Sequence, residues 1–163
     1  MEVAVDFTAV SKSLAEYLRV VERKFNFMVR GFAYEISSQA IEHTPLGNSE
    51  AFIARYQERQ KRFGLNPVEG YARGSWQVKK DRNFTVQEIY GVQSGSTALT
   101  AISASLTAIT FKDDIFIGNR GYYIGLLEGN YSQQTQNLGI MKPTQDAVMA
   151  TYAIDMKTLY DKG

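Results

Sequence analysis

SKSLAEYLRVVERKFNFMVRGFAYEISSQAIE, running from Ser11 to Glu42, carries apolar residues at Leu14, Leu18, Val21, Phe25, Met28, Phe32, Ile36 and Ala40. Steps of three and four residues are the mark of one helical face, so this segment is expected to be a long amphipathic helix. Thirty helical residues extend roughly 45 Å, about the span of a small domain or more, and one end should therefore project beyond the core. The stripe suits either a helix that backs the core or one that packs against copies of itself. Its spacing fits a heptad from Leu14 to Phe32, short of the sustained repeat of a coiled coil. Ser11 or Ser13 is expected to cap the start. Pro45 forces the end, because the residue before a proline avoids helical geometry.

Downstream of that helix, Ser75 to Lys80 and Thr85 to Val92 are rich in Val, Ile, Tyr and Trp and flank the turn-prone Asp81-Arg82-Asn83, which predicts a hairpin. Leu99, Ile102, Leu106 and Ile109 again step by three or four, favouring a helix after Ser94, although its Ser and Thr content and its alternation would also permit a strand. Asp114 to Gly118 reads as a short strand, Tyr122 to Leu127 as one or two helical turns, and Pro143 to Leu159 as a closing helix with Val148, Tyr152 and Met156 inward. The expected class is α+β: a long N-terminal amphipathic helix and further helices packed on a small, mostly antiparallel β-sheet.

The chain has 163 residues, 44% of them hydrophobic and 12% aromatic, which is enough for one core and few for two. A single domain over 1–163 is expected, with 48–70 a polar, basic helical insertion. Eighteen basic and 17 acidic side chains leave a formal charge of +1, so there is no overall electrostatic footprint for DNA or an anionic membrane. Charge is nonetheless uneven. Residues 48 to 82 hold eight Lys and Arg against four Asp and Glu, whereas residues 113 to 163 hold four against six. That asymmetry suits faces that meet different partners, and a solvated helix face explains it equally. The N-terminus lacks the charged start and apolar run of a secretory signal, and no apolar window nears the roughly 18 to 20 residues of a membrane span. Without cysteine there is no disulfide framework, thiolate metal site or cysteine nucleophile.

No catalytic pattern emerges from the residues. His43 is the sole histidine and stands beside Pro45, where a surface or helix-capping role is expected. The phosphate-cradling Gly-x-x-x-x-Gly-Lys-Ser/Thr pattern is absent, and Gly91, Gly95, Gly118 and Gly121 read as turn glycines. Asp113 and Asp114, as neighbours, point opposite ways on a strand and suit a solvated turn better than a cation site. Glu128 follows Tyr122, Tyr123, Leu126 and Leu127 and should be partly buried, needing a partner such as Arg73 or Arg120. It is either a bridge within the fold or an inter-subunit hydrogen bond. Trp76 is expected in the core, where its ring is buried and its one N–H is satisfied. Ten tyrosines and nine phenylalanines lean toward assembly, since aromatic residues are enriched at interfaces.

Three short segments carry a resemblance: His43-Thr44-Pro45-Leu46-Gly47, Ala72-Arg73-Gly74-Ser75-Trp76, and Ile115-Phe-Ile-Gly-Asn-Arg-Gly-Tyr-Tyr-Ile-Gly-Leu-Leu-Glu-Gly129, followed by a polar loop from Gln133 into Gly139-Ile140-Met141. In order and approximate spacing they resemble the neck and tail-completion proteins of tailed bacteriophages, a group that includes the Z-type minor tail proteins. The likeness spans roughly residues 12 to 157 and is weakest over 48–70, where the link is longer than in typical relatives. Pro45, Gly47, Gly74, Trp76, Asn119 and Gly129 are its structural motif positions.

The resemblance implies a virion protein of the head-to-tail junction, made in the host cytoplasm and neither an enzyme nor a cofactor binder. It also implies a homo-oligomeric ring around a DNA-conducting channel, joined to neighbouring connector and tail proteins, with no membrane partner. Candidate contact residues are Phe25 on the long helix, Arg55, Arg59, Lys61 and Arg62 in the insertion, Tyr122, Tyr123 and Glu128 on the short helix, and Gln133 and Gln134 in the loop. The four insertion cations suit phosphate contact inside the channel or an outward, protein-facing role. The alternative classes are a sequence-nonspecific nucleic-acid-binding protein or another small non-enzymatic adaptor.

Overall fold

A computed structural model of the chain describes residues 7–45, 70–85, 95–121, 124–128 and 139–160. The elements are α1 (Thr8–His43), the single turn α2 (Tyr71–Gly74), β1 (Trp76–Lys79), α3 (Ser96–Leu106), β2 (Phe116–Asn119), α4 (Ile124–Glu128) and α5 (Met141–Tyr160). The class is α+β, as the sequence predicts. Ala33, Ala40 and Ile41 of α1, Trp76 and Val78 of β1, Ala98, Ile102 and Leu106 of α3, with Ile109, Leu127 and Ile140, form one buried cluster.

At 36 residues, α1 is roughly 54 Å long. It begins three residues before Ser11, with Phe7 at the N-cap position and no capping side chain, so the predicted serine cap is not used. It ends as Pro45 requires: Thr44 is extended at φ −80° and ψ 121°. Every residue from Phe7 to Val20 is exposed, whereas from Ala33 to Thr44 only Tyr34 and Glu42 are. The N-terminal part thus extends past the core.

The stripe read from the sequence does not face that core. Of its eight positions only Ala40 is buried, and the inward residues are Ala33, Ser37, Ala40 and Ile41. At 3.6 residues per turn, the two stripes lie roughly 110° apart and share Ala40. Small inward side chains let α3 and β1 come close to the helix axis. Gly95, which opens α3 at φ 91°, shows how close: a Cβ there would stand 2.5 Å from Ile41 Cγ2. Within α3, Thr100 and Ser105 bond back to the carbonyls of Ser96 and Ala101, which satisfies the hydroxyls without breaking the helix.

Among the described residues the sheet has two strands, β1 antiparallel to β2, with Trp76 opposite Asn119 and Lys79 opposite Phe116. β1 therefore pairs with a strand about forty residues downstream. Of the expected hairpin partner, Thr85 to Val92, only Thr85 is described. It lies outside any strand and is held by the Gln77 side chain, whose Nε2 donates to its carbonyl at 2.6 Å. β2 starts two residues later than predicted and ends on Asn119. Gly118 lies inside it, not in a turn: the Phe84 ring covers this position so closely that a Cβ would meet it at 2.6 Å. The closing helix runs from Met141 with Pro143 in its first turn, where a missing N–H costs nothing. Val148 is buried as expected; the side chains of Tyr152 and Met156 lie outside the described residues.

Candidate assembly surface

The motif segments meet at the C-terminal end of α1. A helix end leaves carbonyls without intrahelical partners, and here side chains from distant segments supply donors. Arg73 donates from Nε to the Thr44 carbonyl and from a terminal nitrogen to the Glu42 carbonyl at 3.4 Å. A cation at this end also complements the helix dipole. Thr44 Oγ1 donates to the Ala40 carbonyl at 2.6 Å and accepts from Trp76 Nε1 at 2.9 Å. Trp76 is 4% exposed, so its ring is in the core with its one donor satisfied, as predicted. Asn119 ties the next segment in: Nδ2 donates to the Ala72 carbonyl at 2.6 Å, and Oδ1 accepts the Gly121 amide at 2.8 Å. His43 Nδ1 lies 3.2 Å from Thr144 Oγ1 and links the end of α1 to the start of α5.

Glu128 has neither of its predicted partners. Arg73 is engaged with α1, and Arg120 donates to the Phe84 carbonyl at 3.1 Å. Glu128 Oε1 instead accepts the backbone N–H groups of Ile140 and Met141 at 3.1 and 2.9 Å. The carboxylate thereby satisfies donors at the start of α5 and sits at the positive end of that helix. Gly139, at φ 71°, permits the approach, since a Cβ there would stand 2.6 Å from Glu128 Oε2. This is the bridge within the fold that the sequence offered as one of two roles.

Pro45, Gly74, Trp76 and Asn119 are thus gathered around one junction. Gly47 and Gly129 lie outside the described residues, as do Arg55, Arg59, Lys61, Arg62, Tyr122, Tyr123, Gln133 and Gln134. Asp113 closes a solvated turn, as expected. Its carboxylate pairs with Lys80 at 2.9 Å and accepts from the Thr110 hydroxyl and amide at 2.7 Å each. Lys80 first and Thr110 second lower its pKa from 3.8 to about 2. Among the described residues no group of three or more His, Asp or Glu side chains could hold a metal ion, and no helix is long and apolar enough to cross a membrane.

With its base fixed, α1 presents large apolar side chains along its projecting part and its middle. Leu14, Leu18 and Met28 are 56%, 52% and 63% exposed, and Phe27 is 80% exposed. Phe25 is half exposed. Its ring leans on Phe111 at a centroid distance of 5.7 Å, within a contact that also pairs Glu22 with Lys112 at 2.8 Å and Asn26 Oδ1 with the Phe111 amide at 2.8 Å. Arg30 donates to the Ile109 carbonyl at 2.7 Å just beyond. The segment from Ile109 to Lys112 is therefore a brace for the middle of α1. Two features escape the sequence reading. Thr44 has no assigned task in its motif and Arg73 is offered only to Glu128, and Val20, Phe27 and Tyr34, each seven residues apart, form a second exposed line. No protein-family model, no curated protein and no solved structure matches this chain.

Proposed function

We propose that this chain is a structural protein of the phage head-to-tail junction, a neck or tail-completion component that assembles as a homo-oligomeric ring and docks on neighbouring connector and tail proteins. The observation that carries this reading is the projecting part of α1. A helix of that length exposed on all sides is marginal in water, because helices in proteins draw most of their stability from packing an apolar face. Leu14 and Leu18 supply such a face, which Met28 continues into the middle of the helix, and the described fold leaves it exposed. Large exposed apolar patches mark interaction sites. The resemblance of the motif segments supports the location in the particle, and their convergence at the base of α1 supports a role for that junction in fixing the helix.

Mass in solution across a concentration series tests the assembly step. The wild-type chain is expected to form oligomers that Leu18→Glu abolishes while the circular dichroism spectrum stays unchanged. A strict monomer for both proteins overturns self-assembly. Location is tested in an infection from which the chain is removed. Heads and tails are expected to accumulate unjoined in electron micrographs; joined, infectious particles would rule the location out.

A further inference from the structure

We propose that one polar face of α1, the continuation into solvent of its core-facing line, binds the phosphate backbone of duplex nucleic acid. With roughly 100° between successive residues, Lys12, Ala15, Arg19, Arg23, Asn26 and Arg30 share an arc of roughly 80°, and no other residue from 12 to 30 falls within it. The arc points nearly the same way as Ala33, Ser37, Ala40 and Ile41, which meet the core further along the helix. Four of its six side chains are cations and none is acidic or large and apolar. Lys12, Arg19 and Arg23 are exposed, whereas Arg30 is half-buried and donates from Nε to the Ile109 carbonyl.

The formal charge of +1 therefore conceals a local line of one sign. A helix face that is merely solvated tends to alternate its charges. Here Arg19 and Arg23 stand one turn apart, a spacing at which like charges repel. Nearby carboxylates do little to offset them. Glu22, beside the line, is paired with Lys112 at 2.8 Å. Glu16 lies 3.8 Å from Arg19 with both side chains largely exposed, a pair of little worth in water. Among the described residues Lys12 and Arg23 have no ion-pair partner. A polyanion laid along the face would relieve this repulsion. From Lys12 to Arg30 the helix rises roughly 27 Å, about the rise of eight base pairs, so a straight rod offers its cations to several phosphates. A protein partner would call for an aromatic or aliphatic anchor at the centre of the contact, and this arc has none. A bilayer would take the apolar stripe, which lies roughly 125° away and would turn these cations from the lipid. Phosphate contact needs only positive charge. The proposal does not rest on ring assembly, because a monomer presents the same face.

Fluorescence anisotropy of a labelled duplex of arbitrary sequence, titrated with the purified chain at several salt concentrations, reads the contact. Wild type is expected to bind at low salt, with log K falling against log salt at a slope of about −3 for its three exposed cations. The combined variant Lys12→Gln, Arg19→Gln and Arg23→Gln should lose that binding while its circular dichroism spectrum stays unchanged. Arg23 and Lys24 carry equal charge roughly 100° apart. Arg23→Gln alone should therefore lower the slope by about 1 and Lys24→Gln should leave it as it was. Equal effects of those two would mean a response to net charge and overturn the proposal. So would duplex binding that persists in the triple variant, or none by wild type at the lowest salt. Phosphatidylserine vesicles that bind as tightly as the duplex would assign the cations to lipid headgroups and overturn it too. Mass in solution, measured on the same samples, separates this from the ring: a monomer that binds duplex sustains the proposal and removes self-assembly, and an oligomer without duplex affinity does the reverse.

Discussion

The two ends of α1 belong to one uninterrupted helix and obey opposite rules. From Ala33 to Thr44 the inward residues other than Ile41 are small or polar, and hydroxyls of Ser37 and Thr44 bond to the carbonyls of Ala33 and Ala40 at 2.7 and 2.6 Å. From Phe7 to Val20 the helix carries Leu14, Tyr17 and Leu18 in water. The difference teaches that side-chain size on a helix does not decide which face a fold buries. Small residues permit close approach of other elements and are buried where those elements arrive. Large apolar residues left outside offer area to a further partner.

The sharpest contrast between the ends comes from truncating the base. Trp76→Ala removes a buried ring and leaves Thr44 Oγ1 without its donor, so it should cost about 3–5 kcal/mol, read as a fall in the urea midpoint at unchanged slope. Ala40→Leu tests the close-approach rule from the other side. Ala40 is fully buried, and overpacking there is expected to cost about 1–3 kcal/mol in the same titration. Leu14→Ser in the projecting part should move the midpoint by no more than about 0.5 kcal/mol, as at an ordinary surface site, while weakening oligomers in sedimentation. If Leu14→Ser destabilised the monomer as much as Ala40→Leu does, the division of α1 into two regimes would fail.

Two polar contacts give smaller effects. Glu128→Ala removes the acceptor at the start of α5 and should cost about 1 kcal/mol, whereas a change in oligomeric mass at equal stability would restore the inter-subunit role. Asp113 gives a pH signature. Its pKa falls from 3.8 to about 2 on folding, so in that window the unfolded chain binds more protons than the folded one. The contribution is complete above about 3.8 and disappears as pH drops through about 2. Asp113→Asn should therefore lower stability at neutral pH and flatten the acid dependence between those values; an unchanged slope would mean that the Lys80 pair is screened to nothing.

How much of this was legible depended on the range of each interaction. Pro45 fixes the backbone of its own neighbour, so the helix end was readable from the dipeptide. Trp76 was readable because a large ring with one donor has few good environments. The Leu99, Ile102 and Leu106 spacing located α3 correctly, since the period reports which residues share a face. It does not report what that face meets, and the same kind of spacing in α1 pointed to a stripe the core does not use. Ala33 and Ser37 gave no apolar signal of their own. The pairing of β1 with β2 was also out of reach, because contact across about forty residues is decided by which strand edges the core presents and leaves no local signal in the sequence.

By itself, the sequence determined the α+β class, most of the helices, the end of α1 at Pro45 and the absence of cysteine chemistry, because these follow from local backbone preference, periodicity and composition. Only the tertiary structure decided that β1 pairs with β2, that Glu128 holds the start of α5, that Arg73 and Trp76 secure the end of α1, and that Leu14, Leu18, Phe27 and Met28 face outward. Each of those depends on groups far apart in the chain, whose meeting is set by the packing of the whole core.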